Sequence, residues 1–298
     1  MPVASTTKPW LNPYLAILVG VFAVSFSSIL VRLATAPPLI IATYRLVFTF
    51  LVLAPFSLTG GAVALRSMTR RQVKLAAVSG VFLALHFVTW FTSLKYTSIA
   101  SSVVLVTTQP LFVVLGSFVF FKERVSRKAL YGGLLAMLGS LVIGATDFQA
   151  GGQAFIGDLY ALFAAVMVAG YLLLGRKLRG DVGLSGYTFV TYGASALVLI
   201  ASALLCQLPF FPYPDRDWLI FVALALVCTV MGHTVFNWVL RYVQASVVSV
   251  SVLGEPLGAI IWAAIFFGEN PTLRQGIGGG LIFAGLFLFT RVTARGGA

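Results

Sequence analysis

Apolar runs of about 20 residues follow one another along almost the whole chain. The first of them, residues 14–33, contains Arg32 as its single charged residue. A bilayer-crossing helix needs roughly 20 such residues, because lipid offers no partner for an unpaired backbone group. A membrane β-barrel would instead require alternating segments of roughly ten residues. The runs therefore predict an all-α integral membrane protein.

Composition excludes a soluble globular protein, since 9% of the residues are charged and 59% are apolar. The mean hydropathy is +1.00. About ten crossings would use about 200 of the 298 residues and leave only short loops. The predicted helices are 12–34, 38–58, 73–94, 99–121, 128–146, 154–175, 185–207, 218–240, 245–267 and 274–292.

An internal repeat divides the chain into two halves. Residues 94–139 are faintly repeated as residues 240–285, at a constant shift of 146, so that Pro110 falls on Pro256 and Gly139 on Gly285. The predicted units are residues 1–147 and 148–298, each with five helices. An odd number of crossings inserts the second unit upside down, and inverted repeats place a substrate site between two moving halves in many transporters.

Basic residues set the predicted orientation. Most of the 20 Lys and Arg residues lie in loops that would be cytoplasmic if both termini are cytoplasmic. The loop 122–128 has four basic residues, whereas its counterpart 268–274 has only Arg274, as inversion requires. The net charge of +12 follows from this loop bias, so we expect no nucleic-acid partner.

Polar residues within predicted helices are the candidates for a site, because they are expensive in lipid and must face protein or water. Glu255 lies near the middle of helix nine before Pro256, and Gln109 occupies the matching position before Pro110 in helix four. Both residues would line a transport pathway, and Glu255 could also carry a proton. The alternative is that Glu255 only tightens helix packing at the proline bend.

Helix three places His86 and Trp90 on one face, and helix eight does the same with His233 and Asn237. Each histidine is a candidate for substrate contact or a neutral hydrogen-bond partner. Arg45 either pairs with a substrate carboxylate or snorkels to the outer interface, and we prefer the second interpretation. Aromatic residues could complete a cavity that holds a ring or an ammonium group: Tyr44, Trp90, Tyr171, Tyr192 and Trp238.

The remaining patterns concern metals and helix contacts. Cys206 and Cys228, the two cysteines, both lie in apolar runs, so no disulfide framework, metal site or cofactor is predicted. Small residues that let helices approach closely occur at Gly276 and Gly280, and around Gly132 and Gly139. They could pack within the chain or between chains, and we expect a monomer or a weak homodimer.

The chain resembles the EamA-type ten-helix carriers of the drug/metabolite transporter superfamily. The resemblance covers both repeats and rests on residues 109–111 and 255–257 within helices four and nine, and on residues 121–123 and 267–269 that close them. Within that superfamily it looks most similar to the YddG-type exporters of aromatic amino acids, with residues 85–90 matching their central cavity. This implies a bacterial inner-membrane protein that moves aromatic amino acids outward.

The predicted function is therefore secondary transport, not catalysis: export of aromatic amino acids and related small metabolites by alternating access. The partners are the substrate and the lipid bilayer. The predicted substrate-binding residues are His86, Trp90, Asn237 and Glu255, with Tyr44, Gln109, Tyr171 and His233 as additions. A multidrug or quaternary-cation exporter is the alternative. A membrane-embedded lipid-modifying enzyme is more remote, because no nucleophile, base or metal cluster is evident.

Overall fold

The computed structural model describes residues 9–59, 67–97, 99–123, 125–144, 152–267 and 272–296. All regular secondary structure in these ranges is helical. We number the helical segments α1 Pro13–Leu33, α2 Pro38–Thr59, α3 Arg70–Tyr96, α4 Ser101–Phe121, α5 Arg127–Gly144, α6 Gln153–Arg179, α7 Leu184–Leu205, α8 Asp215–Val239, α9 Ala245–Phe266 and α10 Leu273–Gly296.

Within the described ranges, nine of these helices are long and apolar enough to cross a bilayer, and the protein is a multi-pass membrane protein. The exception is α5, which has 18 residues and begins with Arg127 and Lys128. The predicted all-helical class is confirmed, and the predicted helix ends agree with the structure to within a few residues. The predicted repeat boundary between residues 147 and 148 lies outside the described residues.

The distribution of polar and apolar side chains is that of a protein in lipid. Large apolar side chains such as Leu18, Phe56 and Phe120 are exposed on the outer faces of the helices. Polar side chains such as Thr49 and Ser195 are fully buried between helices. This arrangement suits an apolar solvent, in which an exposed hydroxyl group would have no hydrogen-bond partner.

Several helices are interrupted near their middle. In α9 a 3₁₀ turn, Val252–Gly254, precedes Glu255 and Pro256. In α4 the regular helix stops at Val106 and restarts at Gln109, immediately before Pro110. Proline lacks the N–H that would bond to the carbonyl group four residues earlier, so both helices bend there.

In α8 the residues Leu224–Thr234 form a π-helical stretch of 11 residues. In α1 the regular helix stops at Val24 and resumes at Ser27. π-helical turns and helix breaks are often found at functional sites. Four helices are therefore irregular at mid-depth, where a substrate site of a transporter would lie.

The helices of the first half pack mainly on helices of the second half. α1 packs on α8, and α3 packs on α6. α2 packs on α7 and α8, and α3 also packs on α7. α4 packs on α6 and α9, α1 also on α9, and α5 on α10. Each helix of the first half has a counterpart five numbers higher in the second half. When every helix is exchanged with its counterpart, each contacting pair becomes another pair of this set or itself. The chain therefore forms one interlocked bundle.

A close helix contact joins α5 and α10 through glycines. A Cβ atom added to Gly139 would lie 2.5 Å from the Gly278 carbonyl oxygen, and one added to Gly278 would lie 2.7 Å from the Gly139 oxygen. Gly132 and Gly285 form the same kind of pair, with corresponding distances of 2.8 and 2.6 Å. The sequence number rises along α5 as it falls along α10, so the two helices are antiparallel. These glycines pack within the chain.

Candidate functional site

A small cavity lies where helices of the two halves meet. Its volume is about 40 Å³, which is space for only a few water molecules. Seven helices line it, four from the first half and three from the second. The lining residues are Val24, Ser27, Arg45, His86, Trp90, Val106, Thr107, Gln109, Val168, Leu172, His233, Phe236, Val252 and Glu255.

Five of the eight residues predicted from sequence line this cavity: His86, Trp90, Gln109, His233 and Glu255. They come from α3, α4, α8 and α9, which are separated by up to 169 positions in sequence. Their predicted role in substrate binding stays a prediction, because proximity to a cavity does not establish contact with a substrate.

The prolines of α4 and α9 act on the cavity in matching ways. Pro110 and Pro256 cannot donate to the carbonyl groups of Val106 and Val252, four residues earlier in each helix. These two valines also line the cavity. At the two bends, the side chains of Gln109 and Glu255 therefore face the cavity together with Val106 and Val252.

The two histidines both line the cavity, with ring centroids 6.4 Å apart. His86 Nδ1 is 3.0 Å from the Ala164 carbonyl oxygen. Because a carbonyl oxygen can only accept, this nitrogen carries the hydrogen of the bond. The His86 ring also lies nearly parallel to Trp90, at a centroid distance of 5.7 Å. The contact to α6 fixes the orientation of both rings.

Five cavity residues have a buried polar atom that makes no hydrogen bond to any described residue. Arg45 Nη2 and Trp90 Nε1 are donors, Gln109 Oε1 and Glu255 Oε1 are acceptors, and His233 Nδ1 can be either. A buried polar atom without a partner costs about 1–3 kcal/mol. Donors and acceptors grouped in this way suit a ligand that carries both kinds of group.

The preferred interpretation of Arg45 as a snorkelling residue is wrong. Its side chain is fully buried and lines the cavity. Nε donates to Thr229 Oγ1 at 2.8 Å, and Nη1 donates to Ser27 Oγ at 2.7 Å. The guanidinium carbon also lies 4.0 Å from the centre of the Phe87 ring. Sequence reasoning missed this placement because helical periodicity alone does not say which face of α2 meets α1 and α8.

Asn237 and Tyr171 were predicted to contact the substrate, but they lie beside the cavity, bonded to each other. Asn237 Nδ2 donates to Tyr171 Oη at 2.6 Å and to Tyr192 Oη at 3.2 Å. All three side chains are fully buried, and none lines the cavity. Tyr171 remains close to the site, with its ring centroid 6.0 Å from that of His233. The network joins α6, α7 and α8 behind the cavity wall.

Tyr44 also lies outside the cavity. Its hydroxyl group donates to the Phe210 carbonyl oxygen at 2.8 Å, and its ring stacks on Phe221 with a centroid distance of 4.9 Å. Trp238, another member of the expected aromatic cavity, packs against Trp10 with centroids 5.5 Å apart. The aromatic residues are therefore divided among several packing clusters, and Trp90 and Phe236 are the aromatic rings on the cavity wall apart from the imidazoles.

Sequence reasoning missed several lining residues, including Ser27, Thr107 and Phe236. Ser27 follows the break in α1 and Thr107 precedes Gln109 in the break of α4. Small polar residues next to a proline bend were the available signal for Thr107. No comparable pattern marks Ser27, because small hydroxyl residues are common in membrane helices.

Polar contacts join the halves at opposite ends of α8. At its beginning, Asp217 accepts from the backbone N–H groups of Thr35 at 3.1 Å and Ala36 at 2.8 Å, and from the Thr35 hydroxyl at 2.9 Å. Near its end, Arg176 forms an ion pair with Glu123 at 3.2 Å. Arg176 also donates to the carbonyl oxygen of the residue that follows α8. Polar contacts therefore join the two halves at both ends of α8.

Two segments of the chain, residues 11–145 and 155–291, match the model of the EamA-like transporter family. The chain belongs to the EamA-like transporter family. Its two matched segments correspond to the two sequence repeats, and membership of this family places it in the drug/metabolite transporter superfamily.

Relatives of this EamA-like transporter occur in bacteria and archaea. An uncharacterized transporter of Archaeoglobus fulgidus is 27% identical over 278 residues, which cover 93% of this chain and 95% of the relative. The transporter YxxF of Bacillus subtilis, also uncharacterized, is 27% identical over 81% of this chain and 77% of its own. The pseudopaline exporter CntI of Pseudomonas aeruginosa is 26% identical over 76% of this chain and 78% of its own.

A solved crystal structure has the same fold. It superimposes with a TM-score of 0.78 over 95% of this chain and 98% of that chain, at 19% sequence identity. At this level of identity the likeness concerns the helical architecture alone. The helical fold is thus shared with a solved structure, and the family assignment rests on the sequence match.

Proposed function

We propose that this EamA-like transporter exports aromatic amino acids and related small metabolites across a bacterial inner membrane by alternating access. The observation that carries the proposal is the central cavity. Trp90, His86 and Phe236 give it ring-bearing walls, and its polar residues leave donors and acceptors unpaired. An amino acid with an aromatic side chain matches both features, because its ring stacks on aromatic walls and its charged ends take hydrogen bonds.

The mechanism rests on two inverted repeats of five helices each. The reciprocal glycine contacts of α5 and α10 support this arrangement, because Gly132 and Gly139 correspond to Gly278 and Gly285 at the shift of 146. A two-fold axis in the membrane plane relates such repeats and makes their matching helices antiparallel. In this arrangement α5 is the fifth crossing of the first repeat.

The cavity must enlarge during transport. Sites for drug-sized ligands measure roughly 300–1,000 Å³, whereas this one measures about 40 Å³. The contacts of Asp217 and Arg176 hold the two halves together at the two ends of α8. Release of one end at a time would let the halves rock around a fixed site, as alternating access requires.

A relative and the charge distribution support the proposed direction and orientation. The pseudopaline exporter CntI carries export in its name, which supports outward transport by this chain. Most of the 20 basic residues fall in loops that are cytoplasmic when both termini are cytoplasmic. Fusions of a periplasm-active reporter to each terminus should both be inactive, and activity at either terminus would contradict this orientation.

The second candidate function is export of multidrug or quaternary-cation substrates. It is favoured by Glu255, a buried acid whose Oε1 has no partner among the described residues, in a cavity that also contains Trp90. A ring face and a carboxylate together attract a permanent cation. Arg45 opposes this function, because its own positive charge shares the cavity. Flux of a quaternary ammonium dye without amino-acid flux would favour it.

The test of the proposal uses purified protein reconstituted in liposomes. Labelled phenylalanine and tryptophan should cross, and an excess of unlabelled substrate on the opposite side should accelerate their movement, as expected for a carrier. Trp90→Ala and His86→Ala should reduce flux about tenfold or more if each loses roughly 1.4 kcal/mol of binding. Trp238→Ala is the matched control, since this tryptophan packs outside the cavity.

Two outcomes would contradict the proposal. Absence of phenylalanine and tryptophan flux by well-folded protein would reject the aromatic substrate. Equal flux by the Trp90 variant, the His86 variant and the control would show that the cavity is not the site. Folding is checked by size-exclusion chromatography, so that a loss of flux is not mistaken for a loss of protein.

A further inference from the structure

The Arg45 side chain contacts three helices, and one of its nitrogen atoms makes no hydrogen bond to the described residues. Thr229 and Ser27 accept hydrogen bonds from Nε and Nη1, and Phe87 presents its ring face to the guanidinium group. These contacts come from α8, α1 and α3, so the side chain is fixed in position. Nη2 makes no hydrogen bond to the described part of the chain, although the whole residue is buried at the cavity.

The positive charge of Arg45 is not matched by an ion pair. A guanidinium group stays protonated in proteins, and a buried charge is normally paired. Its direct partners here are two neutral hydroxyl groups and the rings of Phe87 and Phe91, and the Glu255 carboxyl group lines the same cavity without forming an ion pair with it. The ion pair between Arg176 and Glu123 is the one found across the described ranges, and it lies at the end of α8, away from Arg45. An anion that entered the cavity would therefore gain a fixed, desolvated partner.

An acceptor group belongs to the same cavity. Glu255 Oε1 and Gln109 Oε1 both lack a hydrogen-bond partner within the described structure, and both residues are about 95% buried. Unlike Arg45, they offer oxygens. A ligand with a carboxylate at one position and an ammonium group at another would satisfy the donor and the two acceptors together.

We infer that Arg45 binds the carboxylate of the substrate through Nη2, while Glu255 and Gln109 face its ammonium group. This inference rests on the proposed function and deepens it, because it assigns the substrate class by charge: amino acids and similar zwitterions, whatever their side chain. Amines without a carboxylate and acids without an ammonium group are discriminated against. Arg45 and Glu255 are then the specificity-determining residues of the site.

The alternative role of Arg45 is structural. Its bonds to Ser27 and Thr229 tie α2 to α1 and α8, and loss of this tie would slow transport of every substrate alike. Recognition of a carboxylate predicts something different, namely a change in the ratio between substrates that differ only in that group. The experiment therefore measures ratios of inhibition and not flux alone.

The experiment compares two sets of matched compounds in liposomes that contain the full-length protein. The aromatic set is phenylalanine, phenethylamine and 3-phenylpropionate, and the aliphatic set is leucine, isoamylamine and 4-methylvalerate. Flux of each labelled compound is measured, and each unlabelled compound is tested as a competitor. The wild-type protein should prefer each amino acid at least about tenfold over its amine and its acid, since a charge-assisted hydrogen bond supplies that much.

The variants separate the two charge contacts. Arg45→Gln should abolish the preference for phenylalanine over phenethylamine, and Glu255→Gln should abolish the preference over 3-phenylpropionate. Arg45→Lys keeps the positive charge but not the forked geometry, so it should retain part of the preference for phenylalanine over phenethylamine. This variant provides the test if Arg45→Gln folds poorly. Arg32→Gln is the matched control, because Arg32 donates to the Leu94 carbonyl oxygen outside the cavity and should leave both ratios unchanged.

The outcomes distinguish this inference from the proposed function. Leucine flux without phenylalanine flux would reject the aromatic substrate and support recognition of a zwitterion. Wild-type protein that moves the amines or the acids as well as the amino acids would overturn the inference and leave a transporter. Arg45 variants that slow all compounds at unchanged ratios would also overturn it. No flux of any of the six compounds would reject both.

Discussion

The antiparallel contact of α5 and α10 should not tolerate even one methyl group at its centre. In Gly139→Ala the new Cβ atom would lie 2.5 Å from the Gly278 carbonyl oxygen and 2.7 Å from the Ile282 nitrogen. Both neighbours are backbone atoms, which cannot rotate away as a side chain can. We expect the substitution to push the two helices apart and to lower the stability of the protein.

The size of the effect follows from the geometry. Cβ contacts closer than 3.4 Å are uncommon, so the helices must separate locally by up to about 0.9 Å at Gly139. Overpacking of this kind typically costs about 1–3 kcal/mol. That corresponds to a lowering of the melting temperature by roughly 2–5 °C for a chain of this size, on the scaling found for soluble domains.

The assay is thermal unfolding of purified protein in detergent, followed by intrinsic tryptophan fluorescence. Gly276→Ala and Gly280→Ala are matched controls on α10, because no heavy atom lies within 4 Å of a Cβ atom at either position. These controls should be unchanged or slightly more stable, since alanine favours a helix over glycine. The double variant Gly139→Ala with Gly278→Ala should lose less than the sum of the single variants, because both open one crossing.

The result that would refute the reasoning is a melting temperature of Gly139→Ala equal to that of Gly276→Ala. Such equality would mean that α5 and α10 do not meet at these glycines. The packing argument for inverted repeats would then lose its main support. Strict additivity in the double variant would also contradict a single shared crossing between the two helices.

Three further predictions concern polar contacts. Asn237→Leu removes the donor to two buried tyrosine hydroxyl groups, and should destabilise the protein by about 1–3 kcal/mol in the same thermal assay. Asp217→Ala removes the hydrogen bonds to the loop between α1 and α2 and should lower stability by about 1 kcal/mol. In a background without the exposed Cys206, this loss should raise the rate at which maleimide labels buried Cys228 about fivefold. Trp262→Phe loses the hydrogen bond to Ser25 and should lower stability by about 1 kcal/mol, whereas Trp262→Ala should lose about 3–5 kcal/mol.

The sequence was sufficient to predict the helices, because each one needs about 20 apolar residues whatever its neighbours are. It was also sufficient to select Glu255, Gln109, His86, Trp90 and His233 as residues near the cavity. Polar groups in lipid must face protein or water, so their position within an apolar run already marks them. The repeat was visible because matching positions keep similar residues at one constant spacing.

Arg45 and Tyr44 show what the sequence alone did not determine. Successive residues on a helix point about 100° apart, so these neighbours face different partners. Arg45 meets Ser27 and Thr229 at the cavity, while Tyr44 meets the loop that contains Phe210. Which side of α2 would meet the centre depended on where α1, α8 and that loop pack, and these contacts join residues up to 184 positions apart.

The division of the polar residues was decided in the same way. Asn237 bonds to Tyr171 behind the cavity wall, whereas Glu255 lines the cavity. Both are polar residues in apolar runs, so the sequence marks them alike. The sequence by itself determined a helical membrane protein with two related halves and a polar centre. Only the tertiary structure decided which polar atoms bond to each other and which line the cavity, because hydrogen bonds depend on distances between helices.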